Sequence, residues 1–309
     1  MPLALTNTMT KLKYFLALSR TPHGILDMAT PALVALLWQG SIPTLRVILL
    51  GLITAFAGYT AVYALNDLVD YRHDRKKMEQ GGFGQTGTDL DALMVRHPLA
   101  QGLLTIKEAV LWTVVWAVIA LTGACLLNPF CIAVFLGAAL LETLYCLLWN
   151  TSPFRTLVSG VVKTAGPLAA AFAVDPRPSP VFLLILFLWL FFWEIGGQNV
   201  PNDWTDLEQD RFFEAKTIPV RFGTDWARAI IFLSLILAVG LNGLLMNISR
   251  LGGENFPLLF SLGAGLFLLL IPGYRLLRRG DRPQALILFN RASYYPLTLL
   301  IINGLSLLF

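Results

Sequence analysis

Leu45-Arg-Val-Ile-Leu-Leu-Gly-Leu-Ile-Thr-Ala-Phe-Ala-Gly-Tyr-Thr-Ala-Val-Tyr-Ala-Leu65 contains no acidic residue, and it ends on Asn66-Asp67-Leu-Val-Asp70-Tyr-Arg-His-Asp74-Arg75. An apolar run of this length crosses a bilayer as a helix. Its polar end holds three carboxylates within eight residues. The pattern returns after another apolar run, over 180–200 with the aromatic cluster Phe187 to Trp193 inside it, as Asn202-Asp203-Trp-Thr-Asp206-Leu-Glu-Gln-Asp210-Arg211. Like charges clustered at a membrane edge repel, and burial adds to the cost. Two such clusters call for something cationic between them.

Outward from these runs, the composition agrees: 56% of the 309 residues are hydrophobic and 14% charged. A soluble domain carries about a quarter charged residues. The chain therefore reads as an all-α polytopic membrane protein, one domain over 1–309, with about nine helices and cap loops on one face. The expected spans are 22–39, 45–65, 109–127, 130–149, 156–174, 180–200, 227–247, 256–274 and 286–308. The first carries His23, Asp27 and Pro31; the last holds Arg291 near its start, placed to snorkel.

Lys and Arg fall almost wholly on one set of loops, from Lys11, Lys13 and Arg20 through Arg72 to Lys107, then Arg155, the 211–228 group and the 275–282 group. The other side keeps Arg46, Arg177 and Arg250. That asymmetry places the N-terminus and both aspartate motifs in the cytoplasm. No short apolar core with a cleavage site is evident over Met1 to Arg20. The net charge of +4 is too small to argue for nucleic acid. Cys125, Cys131 and Cys146 have no zinc-like spacing and read as packing residues.

Both long loops, 67–108 and 201–226, follow an aspartate motif and suggest a lid. The piece Gln80-Gly-Gly-Phe-Gly-Gln-Thr-Gly-Thr88 is glycine-rich but lacks the Lys-Ser/Thr of a P-loop. On a helix, Asn66, Asp70 and Asp74 share one face with Asp67 beside them, and Asn202, Asp206 and Asp210 repeat this beside Asp203. Oxygen donors without Cys or His select hard cations such as Mg²⁺, which completes its shell with water and phosphate oxygens. A diphosphate bridged by Mg²⁺ fits both clusters. His73 and His97 read as local hydrogen-bonding residues rather than transition-metal ligands. Glu194, Gln198 and Asn202, spaced i, i+4, i+8, are expected to line one face above the second motif; Glu142 is a further intramembrane acid.

These motifs resemble those of the UbiA-type intramembrane prenyltransferases, as do Lys216-Thr-Ile-Pro-Val-Arg-Phe-Gly223 and Arg20-Thr-Pro22. The resemblance covers essentially the whole chain and implies a bundle of about nine helices around a central cavity open toward lipid. It implies an Mg²⁺-dependent enzyme that binds a polyprenyl diphosphate among membrane lipids and passes the allylic carbocation to an aromatic quinone-type or lipid acceptor. Residue by residue, it assigns Asn66, Asp70 and Asp74 to one Mg²⁺–diphosphate site, with Asp67 adjacent. It assigns Asp203, Asp206 and Asp210 to the other, beside Asn202. Asp70, Asp206 and Lys216 become the candidate catalytic residues; Arg75 and Arg211, with Arg20 as a weaker candidate, would contact the diphosphate.

Two positions depart from the family's pattern. His97 stands where relatives have an Arg before Pro98, and Trp149 stands where they have a Lys after Tyr145. Arg155 or Lys163 would then supply the missing charge. Two other readings keep the aspartates: a membrane terpene cyclase without external acceptor, and a cation transporter. Transport carboxylates belong near the bilayer midplane, and these lie at span ends.

Overall fold

The computed structural model describes residues 2–80, 94–251 and 255–307, so the glycine-rich piece after Gln80 lies outside the described residues. The described residues are helical throughout their regular structure: α1 (Pro2–Leu18), α2 (Thr21–Asp27), α3 (Ala29–Gln39), α4 (Leu45–Glu79), α5 (Ile106–Leu127), α6 (Pro129–Leu147), α7 (Arg155–Val174), α8 (Pro180–Trp193), α9 (Val200–Thr205), α10 (Leu207–Phe212), α11 (Ile218–Phe222), α12 (Thr224–Ile248), α13 (Asn255–Gly265), α14 (Ile271–Arg279), α15 (Arg282–Ser293) and α16 (Tyr295–Ser306).

Grouped by continuity, eight helices among the described residues are long and apolar enough to cross a membrane. The segment expected as the first span is instead a broken pair, α2 and α3, joined at Met28. It still runs between the same two ends of the bundle. At one end the Arg20 guanidinium donates to Asn66 Oδ1 at 3.4 Å. At the other, Trp38 Nε1 donates to Asp175 Oδ2 at 3.1 Å, and Arg250 N–H donates to Leu37 O at 3.0 Å. The break lets polar Asp27 turn into the bundle, where it is buried.

Helix α4 has 35 residues, about 50 Å at 1.5 Å per residue, well beyond a bilayer core of about 30 Å. Thr44 caps its start by accepting from Val47 N–H. About 30 Å separates Leu45 from Asn66 on the same arithmetic, so the first motif emerges at the hydrocarbon edge on an unbroken helix.

The second motif is built differently. Between α8 and α9 the chain takes a π turn over Glu194–Asn199, followed by Pro201 in the first turn of α9. Proline cannot donate to the preceding turn, which accommodates the wider winding. Gly196 and Gly197 allow it: a Cβ on Gly196 would stand 2.8 Å from Ser234 Cβ and 2.9 Å from Ile231 O, and one on Gly197 2.9 Å from Ala292 Cβ. Around this turn packs the larger apolar core, including Trp189, Trp193 and Tyr295, all fully buried. The Phe187–Trp193 aromatics are thus divided: the tryptophans are core, while Phe187 and Phe191 stack on each other at 5.7 Å. Arg291 donates to Phe267 O at 3.4 Å, a carbonyl of a second π turn, Leu266–Leu270. Cys131 and Cys146 are buried and Cys125 is exposed; all three are free thiols.

Candidate active site

Both aspartate motifs line a single polar cavity of about 170 Å³. From the first come Asn66, Asp67, Asp70 and Asp74; from the second come Asn202, Asp203, Asp206 and Asp210. Of the expected cations Arg20 and Arg155 also line it, and Tyr145 joins them. The two copies are not equivalent. The first is continuous helix, with Asn66, Asp67 and Asp74 buried and Asp70 half-buried. The second breaks at Asp206 (φ −101°, ψ 11°), between α9 and α10, so Asn202, Asp206 and Asp210 do not share a straight helical face. Asp203 and Asp210 are buried there and Asn202 is exposed.

The expected line of Glu194, Gln198 and Asn202 is likewise corrected, because the π turn offsets its register. Glu194 accepts from Ser159 Oγ on α7 at 2.7 Å, while Gln198 Nε2 donates to Phe289 O and Ser293 Oγ on α15.

Asn66 is a junction. Its amide donates to Glu142 Oε1 at 2.6 Å and to Cys146 Sγ at 3.3 Å, and its carbonyl accepts from Arg20. His97 brings the first loop into the site. Its Nδ1 stands 2.7 Å from Asp74 Oδ2 and 3.1 Å from Asp67 Oδ1. Burial opposes a charge on this ring, but Asp74 and Asp67 outweigh it and hold its pKa up at about 9. A protonated imidazole donates hydrogen bonds and has no lone pair for a metal, although ligand atoms of the three residues lie within 4.8 Å of one another.

Burial raises Asp210 to about 6, with Asp206 adding to the rise and Lys77 opposing it. Arg20 (φ 43°) and His97 (φ 48°) both hold left-handed backbone, which costs non-glycine residues on the order of 1–3 kcal/mol. Both line the cavity.

The cations agree with the expectation only in part. Arg155 stacks on the Tyr145 ring, 4.1 Å from its centroid, and donates to its hydroxyl, which also accepts from Asn199 Nδ2 at 3.0 Å. Lys163, the other substitute considered, pairs with Asp27 at 2.7 Å and does not line this cavity. Arg75, Arg211 and Lys216 are also absent from the lining. Arg75 donates to Glu79 and Tyr71 on the exposed side of α4; Arg211 is exposed; Lys216 donates its backbone N–H to Trp149 O at 2.8 Å.

Lys77 and Arg96 take their place in the cavity wall. Lys77 was readable in principle, standing three residues after Asp74 and seven after Asp70 on the same helical face. Its ammonium lies 4.3 Å over the Trp149 ring, so the aromatic that replaces a lysine holds another lysine in place. His73, one turn before Lys77 on α4, also packs its ring against Trp149, at 5.3 Å.

A second cavity, apolar and about 370 Å³, lies deeper in the bundle and is lined by residues such as Gly51, Ala55, Tyr59, Ala138, Val162 and Gly166. Helices α4, α6 and α7 contribute to both cavities: Asn66, Tyr145 and Arg155 to the polar one, Tyr59, Ala138 and Val162 to the apolar one.

Residues 28–294 match the family model described as the UbiA prenyltransferase family. The chain belongs to that family. It is 27% identical over 170 residues to a 4-hydroxybenzoate octaprenyltransferase of Saccharophagus degradans, a stretch covering 55% of this chain. The chain spans about half the length of that relative, 54%. Among solved structures, it is similar to the apo form of a UbiA homologue from Aeropyrum pernix K1 (TM-score 0.71, 19% identity, 93% of this chain and 97% of that one). It is also similar to a UbiA homologue from Archaeoglobus fulgidus bound to DMAPP and Mg²⁺ (TM-score 0.65, 18% identity, 94% and 99%). The eight long helices among the described residues and this membership make the protein an integral, multi-pass membrane protein of the UbiA prenyltransferase family.

Proposed function

We propose that the protein transfers a polyprenyl group from its diphosphate to an aromatic quinone-type or lipid acceptor, with Mg²⁺, at a site facing the cytoplasm. The observation that carries this reading is the sharing of α4, α6 and α7 by a carboxylate-rich cavity and an apolar one. A prenyl diphosphate has a charged end and a long apolar tail, and the two cavities match those two parts.

The residues fit a hard divalent cation. Asp203 Oδ2 is buried without a hydrogen-bond partner, which a native protein rarely tolerates. It shares the cavity lining with Asp70, Asp206 and Asp210, which offer oxygen donors. With Asp67 and Asp74 tied to His97, Asp70 is the first motif's leading candidate to hold the metal. When bound, Mg²⁺ would neutralise charge developing on the leaving diphosphate. Arg20, Arg155, Lys77 and Arg96 orient the anion and share its charge. Apolar walls exclude water from the allylic cation left behind, so the acceptor can compete for it.

The DMAPP and Mg²⁺ bound by the Archaeoglobus homologue support this reading. The cytoplasmic orientation follows from the Lys/Arg-rich loops lying at the same end as the aspartates.

A product screen tests it: prenyl diphosphates of several lengths, with aromatic and lipid acceptors, with and without Mg²⁺, read by mass spectrometry. Prenylated acceptor formed only with the metal is expected. A hydrocarbon released without acceptor would make the protein a cyclase, and no turnover of any prenyl diphosphate would defeat the donor reading.

A further inference from the structure

Between the two cavities lies a buried ionic cluster that the donor chemistry does not use. On α4 the order is Asn66 in the polar cavity, Tyr63 against the cluster, and Tyr59 in the apolar cavity. On α7 it is Arg155, then Ser159 and Lys163, then Gly166. Lys163 Nζ stands 2.7 Å from Asp27 Oδ1, and Tyr63 donates to Asp27 Oδ2 at 2.5 Å. His23 Nε2 is 3.9 Å from Asp27, and Lys163 lies over the Trp193 ring at 5.3 Å.

Glu194 is the surplus member. Its Oε1 accepts from Ser159; its Oε2 has no hydrogen-bond partner, and Lys163 Nζ stands 3.9 Å from it. The residue is 7% exposed. Asp27 and Lys163 already neutralise each other, so a tie between helices needs no further carboxylate. Charges inside a membrane bundle are costly and orphaned buried oxygens are rare. The π turn begins at this residue, and such turns gather at functional sites.

We infer that Glu194 is an acceptor-binding residue and that it selects an acceptor that is uncharged and carries a hydroxyl. The inference rests on the donor reading above, because it sets the acceptor where the prenyl carbon passes from the polar cavity toward the apolar one. An unsatisfied carboxylate oxygen takes a hydrogen bond from an O–H. The cluster sets one ammonium and the His23 ring, which faces Asp27, against Asp27 and Glu194, with Glu142 a further acid nearby. The free oxygen of Glu194 itself has the Lys163 ammonium no nearer than 3.9 Å, so an acceptor bearing its own carboxylate meets like charge there. A neutral phenol does not. A site built to accept a hydrogen bond discriminates strongly, since the wrong ligand leaves it unpaired.

The test uses the full-length protein in detergent, loaded with geranyl thiodiphosphate and Mg²⁺. Binding of hydroquinone is compared with that of gentisate, which is hydroquinone with a ring carboxylate. The wild-type protein should bind hydroquinone at least tenfold more tightly. Glu194→Gln removes one charge while keeping the shape that Ser159 needs, and it should shrink the preference at least tenfold. A purely structural role would not move that ratio.

Equal binding of the two rings, tighter binding of gentisate, binding of neither, or an unchanged ratio in the variant would each overturn the inference. The wild-type comparison needs no variant to fold. If the thiodiphosphate itself fails to bind with Mg²⁺, the donor reading falls, and this one with it.

Discussion

Nδ1 of His97 lies 2.7 Å from Oδ2 of Asp74, on a residue that sequence reading marked as a departure from the family's pattern. The imidazolium bridges Asp74 and Asp67, two carboxylates that are themselves buried. His97→Ala leaves both acids without it, and uncompensated buried charge typically costs roughly 3–5 kcal/mol. The variant should unfold at a visibly lower temperature in detergent. His97→Arg keeps a cation at this place and should recover most of the loss. Equal melting of wild type and His97→Ala would show that the bridge contributes nothing.

Lys77 and Arg75 give opposite expectations although they sit two residues apart. Lys77 lines the carboxylate cavity and rests on Trp149; Arg75 reaches Glu79 on the outer face. Lys77→Ala should weaken binding of a prenyl thiodiphosphate about tenfold, equivalent to about 1.4 kcal/mol. Arg75→Ala should bind it as the wild type does, since exposed ion pairs contribute little. Calorimetry with Mg²⁺ present distinguishes the two, and the reverse ranking would restore the reading made from sequence adjacency.

Asp70 and Asp206 come from motifs more than a hundred residues apart and line the same cavity. Asp70→Ala or Asp206→Ala should bring prenyl transfer below detection while the protein still inserts and purifies as a folded species. Glu208, an exposed acid inside the second motif, serves as the control, and Glu208→Ala should keep near-wild-type turnover. Full activity in either aspartate variant would remove that residue from the metal site.

The residues differ in how far sequence alone could locate them, for physical reasons. Eight crossings and the edge position of both motifs follow from apolar length and the 1.5 Å rise, so local pattern suffices for them. The first motif also keeps its expected face because α4 is regular throughout. The second is interrupted at Asp206, although Asn202, Asp206 and Asp210 still line the same cavity, and a π turn at Glu194–Asn199 offsets the residues that precede it. The π turn depends on close contact of Gly196 and Gly197 with Ser234, Ile231 and Ala292, which lie far off in sequence.

Arg75 drew attention by adjacency to Asp74, yet one residue turns a helix by about 100°, and it faces away. Helical arithmetic favours Lys77 instead. His97 is a third kind of case: its partners are fixed by how the loop returns to α4, which no spacing encodes.

Gly51 tests the apolar cavity as a tail site. It lines that cavity, and a Cβ built on it would meet no atom within 4 Å. A larger side chain therefore enters open space rather than the packed core, and glycine inside a helix is itself destabilising by roughly 0.5–1 kcal/mol relative to alanine. Gly51→Leu should fold at least as well as the wild type while occupying volume that a prenyl tail would fill. The expected result is a shift toward shorter donors: turnover of long prenyl diphosphates falls, and turnover of dimethylallyl or geranyl diphosphate holds. Chain-length profiles by mass spectrometry read this directly. An unchanged profile, with the variant folded, would mean that the tail runs elsewhere and that the cavity holds lipid or acceptor instead.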